Sequence, residues 1–383
     1  MAENIPEDII IDILLRLPAK SLTRFKSVCK RWWSLISDPG FAKSHLQRLK
    51  SGDLIPSQRI FIADICDICG NDDRSYIATI DYEALDSGEG HMVVPHRIKP
   101  FWDSLDVVGS CDGLVCFLCC DIFIIYNPTT REYNELPSSD LIEDYEYVYL
   151  HNDHSTFYGF GYDPQSDDYK VVEGIHDYLL WTAAIYSFKS RSWRRIYLPK
   201  EEESRFVVYD NGVYWKGALH WHIRMWYSTA TAIISLDLSE EEFNWVLSVP
   251  EVDEDRRLMD LGIHGTSLFI YGTGCCPSTR RSIVSRIEAW ITDEYRQGGS
   301  WTKWFSVDCL PSFGDITPLA YTRSGRIVFL INLNRVILFN PENNTYKDYP
   351  IGMDKFLQLN HAVYLETLVS PYFGSEPSRI ERL

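Results

Sequence analysis

The sequence is poor in the features that mark most catalysts and membrane proteins. It has no Gly-x-Ser-x-Gly elbow, no phosphate-binding glycine loop and no dinucleotide fingerprint, so the common nucleophile and nucleotide chemistries have no motif to build on. Its longest apolar run, Leu114 to Cys120, ends at Asp121, well short of the ~20 residues a spanning helix needs. The first residues are acidic and helix-patterned instead of a basic leader before an apolar stretch, so no secretory route is expected. The expected location is the cytoplasm, the nucleus or both, with the ten cysteines as reduced thiols. In such a compartment the sequon Asn343-Asn344-Thr345 has no meaning.

Basic residues are scarce as well. Against 54 Asp/Glu there are 37 Lys/Arg, a formal charge of −17. The deficit is uneven: residues 1–50 hold nine Lys/Arg and five Asp/Glu, whereas the remainder holds 28 and 49. An acidic body repels nucleic-acid phosphates and anionic membrane, so neither is an expected partner. It favours basic protein partners, and it serves solubility equally well.

What is abundant is aromatic: twelve Trp, 23 Tyr and 18 Phe, residues that pack well on pleated strands. With 45% hydrophobic residues over 383 positions, the material for a large core is present.

The first fifty residues read as helices. Glu7 to Leu17 is apolar at Ile9, Ile10, Ile11, Ile13, Leu14, Leu15 and Leu17, leaving a polar stripe of Asp8, Asp12 and Arg16. That is roughly two-thirds of the circumference, where a surface helix buries a stripe of ~100° or a little more. Pro18 stops the helix; Ser21–Phe25 and Val28–Ile36 add short helical turns, and Asp38-Pro39 opens a fourth helix through Lys50. A unit of ~50 residues cannot cover so much apolar surface by itself, so a partner surface is implied.

The order Ile5-Pro6-Glu7-Asp8-Ile9-Ile10, Ile13-Leu14, Leu17-Pro18, Leu22, Phe25, Val28-Cys29-Lys30-Arg31-Trp32, Leu35-Ile36 resembles the F-box over residues 4–47. The resemblance implies docking on a Skp-type adaptor, and through it on cullin and RING subunits. It assigns the adaptor-binding positions to Ile5, Pro6, Ile9, Ile13, Leu17, Pro18, Leu22, Val28, Cys29 and Trp32. Which of these face the adaptor and which the motif's own core stays open at the level of sequence. The local excess of basic charge would complement an acidic adaptor.

Beyond a linker at Ser51–Gln58, with strands expected at Arg59–Ile65 and Tyr76–Ile80, the chain repeats itself. An apolar strand leads to a polar turn, then to an aromatic residue before an aliphatic one and often Pro. The instances are Ile124–Asn127 with Tyr133, Ala184–Ser187 with Trp193, Ile233–Asp237 with Phe243, Ala289–Ile291 with Trp301, and Ile337–Asn340 with Tyr346. Three or four strands per unit at ~40–50 residues fit a propeller blade; a β-sandwich pair is the competing architecture. The expected fold is α+β multidomain, three or four helices followed by an all-β, propeller-like region.

Gly109-Ser110-Cys111-Asp112-Gly113-Leu114, Tyr126-Asn127-Pro128-Thr129-Thr130-Arg131-Glu132-Tyr133, Tyr158-Gly159-Phe160-Gly161-Tyr162-Asp163 and Gly217-Ala218-Leu219-His220-Trp221 resemble the F-box-associated, kelch-like domain of plant F-box proteins, from about residue 100 to 370. The expected division is 1–50 for the F-box, 51–100 for the linker and first strands, 101–372 for the β domain and 373–383 for a tail. The implied function is that of a substrate receptor bridging the adaptor to a protein target for ubiquitylation, non-catalytic and without a cofactor. The alternatives are a Skp-bound scaffold that does not ubiquitylate its partner and, more distantly, a carbohydrate-active propeller with paired carboxylates. Target contacts are expected from Tyr145, Trp181, Trp226 and Tyr227 in strand-connecting segments.

Two metal-like patterns read as structural. His220-Trp221-His222 puts two imidazoles on one strand face without a third ligand in register, and is read as a strand-end and a surface histidine. Of the pairs Cys66/Cys69 and Cys116/Cys119, the second lies in an apolar strand, where positions three apart face opposite sides.

Overall fold

The computed structural model describes residues 5–64, 76–89, 96–97, 105–119, 121–139, 141, 155–176, 181–197, 206–208, 211–225, 231–247, 249–250, 252, 256–275, 284–294, 300–308, 316–332, 334–351 and 359–373. Four helices come first: α1 (Glu7–Leu15), α2 (Ala19–Phe25), α3 (Lys30–Ile36) and α4 (Pro39–Lys50). Helix α1 ends before the expected Leu17 because Pro18 disfavours helical backbone in the residue ahead of it. The chain closes instead with shorter-range bonds, Arg16 N–H to the Ile13 carbonyl and Leu17 N–H to that of Leu14. Helix α3 starts two residues later than expected, since Cys29 is extended and caps it by accepting from Trp32 N–H. Asp38 caps α4 through Phe41 N–H at 3.0 Å, with Pro39 at its first position, as the sequence requires.

The β region falls into six groups of strands. The first joins both ends of the region, in the order Leu359–Leu365, Gln58–Asp64, Tyr76–Ile80, His96–Arg97. The second runs Asp106–Cys111, Leu114–Cys119, Ile122–Asn127, Glu132–Glu135. The third (Ser155–Tyr197) and fourth (Phe206–Leu247), the latter with a fifth, short strand Phe206–Val208 paired to Ala218–Met225, are fused into a nine-stranded sheet by a short parallel pairing of Asn211 with Tyr158 and Gly212 with Gly159. The fifth spans Arg256–Asp308 and the sixth Ile316–Pro350. Five of the groups have four strands and the fourth has five, against the three or four that the repeat predicts.

Contacts divide the chain into two units. One holds the helices with the first and second groups (1–81, 96–136, 360–383), the other the remaining four groups and the short helix Tyr82–Ser87. In the first unit, Phe61, Ile77 and Tyr364 of one sheet pack on Val107, Phe117 and Tyr126 of the next. In the second, Phe157 and Ile185 meet Leu219, Trp221 and Leu236, and farther along Phe269 and Phe305 meet Phe329 and Phe339. Inner strands such as Leu114–Cys119 and Ile327–Ile331 are buried at every position, as strands covered on both faces are.

The repeated turn is one construction used five times. Asn127, Asp163, Ser187, Asp237 and Asn340 each end a strand, and the fourth residue after each (Arg131, Asp167, Arg191, Glu241, Asn344) has positive φ. Asn127 Oδ1 accepts from the N–H groups of Thr129 and Thr130, and Asp237 Oδ1 likewise from Ser239 and Glu240. The aromatic after the turn then sits across from the residue before the Asx or Ser: Tyr133 from Tyr126, Trp193 from Tyr186, Phe243 from Leu236, Tyr346 from Phe339.

His220 and His222 correct the expectation made of them. Both lie inside the strand Ala218–Met225 and both are buried. Alternation does place them on one face, but the fifth group covers that face, with Trp215 edge-on to His220 and the Trp215–Ile233 side packed on Leu258 and Leu268. Cys116 and Cys119 are buried free thiols; Cys66 and Cys69 lie outside the described residues.

Candidate functional site

The helices sort the apolar residues that sequence left mixed. Leu14, Leu15, Ala19, Leu22, Ile36, Phe41 and Ala42 form the buried core of the motif. On the other side Ile5, Ile9, Ile13 and Val28 are between 47% and 60% exposed. Ile5, Ile9 and Ile13 are spaced four apart, so they form one line along α1 and the turn before it. Pro6, Pro18 and Cys29 are exposed as well, and Leu17 and Trp32 are half-buried, with the Trp32 ring 5.7 Å from that of Phe25.

Leu22 stands apart from the other nine positions. At 0% exposure it lies in the motif's own core and is closed to any partner. Trp33 shows the opposite, since it is 47% exposed and was not singled out by its sequence position. Its neighbour Trp32 sits at the matching place in the motif, and a pair of adjacent tryptophans carries no signal of which one turns outward.

Salt bridges run along and between the helices. Glu7 of α1 meets Arg31 of α3 at 3.2 Å, an exposed pair that marks the first turn of α1 as lying beside the start of α3. Asp12 pairs with Arg16 one turn on, at 2.9 Å, and with Arg48 of α4 at 2.7 Å. The Arg48 hydrogen bond leads in holding the Asp12 carboxyl below its ordinary range, against a smaller opposing effect of desolvation. Under α1, the buried His45 ring donates from Nε2 to the Leu17 carbonyl at 2.9 Å, which closes the helix end before Pro18. Burial lowers the pKa of that imidazole, the Leu17 bond opposing and the Arg48 charge adding to the effect.

In the β region, the strongest polar cluster is structural in its geometry. Lys170 is buried and its ammonium donates to Asp163 (3.1 Å), Glu241 (2.9 Å) and the Leu238 carbonyl, which occupies all three of its donors. Burial opposes ionisation of Asp163, but hydrogen bonds from Ser166, Ser239 and Lys170 outweigh it and hold the carboxyl far below the usual range. The cluster ties the Asp163 turn to the Asp237 turn. Cys111 and Cys116 have their thiols pushed up by burial, away from nucleophilic character. Among the described residues, no three His, Cys, Asp or Glu gather in a metal-binding group.

Of the four aromatic positions expected to meet a target, Trp181 opens the strand Trp181–Ser187 opposite His176. Tyr145, Trp226 and Tyr227 lie outside the described residues.

A family model for the F-box domain matches residues 3–44, and one for the F-box associated beta propeller domain matches residues 91–375. The F-box/kelch-repeat protein At3g23880 of Arabidopsis thaliana is 32% identical, covering 96% of each chain. F-box protein CPR1 of Arabidopsis thaliana is 31% identical over 89% of this chain and 83% of its own length. Among solved structures, the Dos1 propeller aligns at a TM-score of 0.33 and 11% identity, over 71% of this chain and 63% of that one, a likeness too loose to bear on fold or function.

Proposed function

The chain belongs to the F-box proteins that carry an F-box associated beta propeller domain, and we propose that it is the substrate receptor of a Skp–cullin–F-box ubiquitin ligase. The observation that carries this reading is the exposure of Ile5, Ile9, Ile13 and Val28 on a helical motif whose core lies on the other side of α1. Exposed aliphatic residues gathered in one place on a solvated protein mark an interaction site. The partner that the F-box implies is a Skp-type adaptor, which would link the chain to cullin and RING subunits.

In this role the chain performs no bond chemistry. It would hold a target close to the ubiquitin-loaded subunits, and the gain is one of effective concentration and orientation. The target would dock on the acidic β region, for which a basic protein surface is the complementary class. The cytoplasm and nucleus are the compartments proposed for it. A scaffold that binds the adaptor without leading its partner to ubiquitin is the second reading. Reconstitution separates the two: with adaptor, cullin, RING and conjugating subunits present, a partner captured by the β region gains ubiquitin chains if the chain is a receptor. A captured partner that stays unmodified, while the complex modifies a control target through another F-box protein, rejects the receptor reading.

A further inference from the structure

We propose that the segment Glu366–Val369, near the far end of the chain, is a working part of the F-box, and that Leu368 is a positioning residue for the adaptor-docking surface. The inference rests on the adaptor reading given above.

Leu368 is buried in the same cluster as Leu14, Leu15, Leu22, Ile36 and Phe41, although more than 300 residues separate it from α4 in sequence. Leu14 and Leu15 are the buried side of α1, whose opposite side presents Ile9 and Ile13. A residue that props the underside of α1 therefore sets where the exposed line sits. The F-box core is not closed by its own fifty residues; Leu368 completes it.

The segment has no secondary structure of its own, so what holds it is its surroundings. Glu366 N–H donates to the Ser57 carbonyl, and the Glu366 carboxylate accepts from Ser57 Oγ and pairs with Arg59, which also holds Asp81 at 2.8 Å. Thr367 Oγ1 donates to the Asp112 carbonyl at 2.8 Å, while Lys50 at the end of α4 pairs with the Asp112 carboxylate at 2.7 Å. One turn thus receives both the segment and the last F-box helix. Next to it Gly113 has φ +86°, and a Cβ there would overlap Thr367 Oγ1 and the Leu365 carbonyl. Asn127 Nδ2 donates to the carbonyls of Thr367 (3.2 Å) and Val369 (2.7 Å), on both sides of Leu368. Gly113 makes room for the segment that carries Leu368, and Asn127, already the Asx of a repeated turn, holds it on both sides.

The test uses the full chain and compares the parent with Leu368→Ala, Leu368→Met and Asn127→Ala, with Ile331→Ala as a cavity variant in the core of the second unit. Each is titrated with a Skp-type adaptor at a temperature where all are folded, and hydrogen exchange is followed in α1 and α4. Leu368→Ala is expected to weaken adaptor binding about tenfold, within the ~5–150-fold usual for coupling between sites, and to speed exchange in α1. Leu368→Met should recover most of the affinity, Asn127→Ala should shift both readouts in the same direction, and Ile331→Ala should lower the unfolding midpoint with adaptor affinity unchanged. Parent-level affinity and unchanged α1 exchange in folded Leu368→Ala would overturn the proposal. If the parent itself does not bind the adaptor, the function reading fails, and α1 exchange alone decides whether Leu368 completes the helical motif.

Discussion

Adjacent residues of α1 have opposite fates. Ile13 is half exposed and Leu14 is buried, as is Leu22 of α2, so changes at the outer and the inner positions should part cleanly. Ile13→Asp is expected to abolish measurable adaptor binding while moving the unfolding midpoint little, since the site is already wet. Leu22→Ala should cost about 2–5 kcal/mol of stability, because it opens a cavity in a closed core. Urea unfolding alongside an adaptor titration checks both; equal stability losses in the two variants would show that the inside and outside of the motif have been misassigned. A histidine gives a second residue-scale prediction. His220 has its pKa lowered to about 4, because burial penalises the imidazolium more than backbone hydrogen bonds at Val213 and Ala218 favour it. The unfolded chain therefore takes up the proton first, and stability should fall as pH drops from about 6.5 towards 4 and then level off, at up to about 1.4 kcal/mol per unit. Asp163 acts in a different window. With its pKa lowered in the folded chain, its contribution is intact above 3.8 and is lost only as pH falls further. Equilibrium unfolding of His220→Gln across pH 4–6.5 should show a flatter slope than the parent; an unchanged slope would remove His220 as the cause.

Turns and caps are the elements whose sequence and structure agree best, because their chemistry is local. Asp38-Pro39 places the start of α4 to the residue, and the Asx or Ser turn followed by an aromatic recurs in the third-to-fourth strand hairpins of four groups. Asn127 is the most demanding of these sites. Its carbonyl oxygen accepts twice and its amide nitrogen donates twice, while the residue is fully buried. Asn127→Asp keeps the turn but replaces both donors by acceptors facing carbonyls, and should cost about 1–3 kcal/mol or more. Thermal or urea unfolding tests this, and a neutral effect would mean that the amide bonds are not made. Less legible are elements whose partner is distant in sequence. Gln58–Asp64 reads as a strand, but nothing local says that it pairs with Leu359–Leu365, or that Leu368 enters the helical core. The sides of α1 were equally hidden, since most of its positions are apolar and periodicity then has no phase. The histidines at 220 and 222 were misplaced for a related reason: alternation gives a face, and only the neighbouring sheet says whether that face is covered.

At the scale of the whole molecule, the chain combines a helical motif with an exposed aliphatic surface and a β region whose sequence is strongly acidic. The two features call for different partners and different salt dependence. Adaptor docking, driven by apolar burial, should change little between low and moderate salt, whereas capture of a basic target should weaken as screening grows. Binding measured for each at two ionic strengths checks the assignment, and the reverse pattern would exchange the roles of the two surfaces. The target itself was not legible, because connecting segments, where binding residues concentrate in proteins generally, carry no periodic constraint. The measurement that bears most directly on the central claim is a titration of the folded chain with a purified Skp-type adaptor, beside Ile9→Asp and Val28→Asp. Saturable binding by the parent is expected, with a loss of about 2 kcal/mol or more in each variant at unchanged stability. A folded parent that does not bind, or variants that bind as well as the parent, would contradict it.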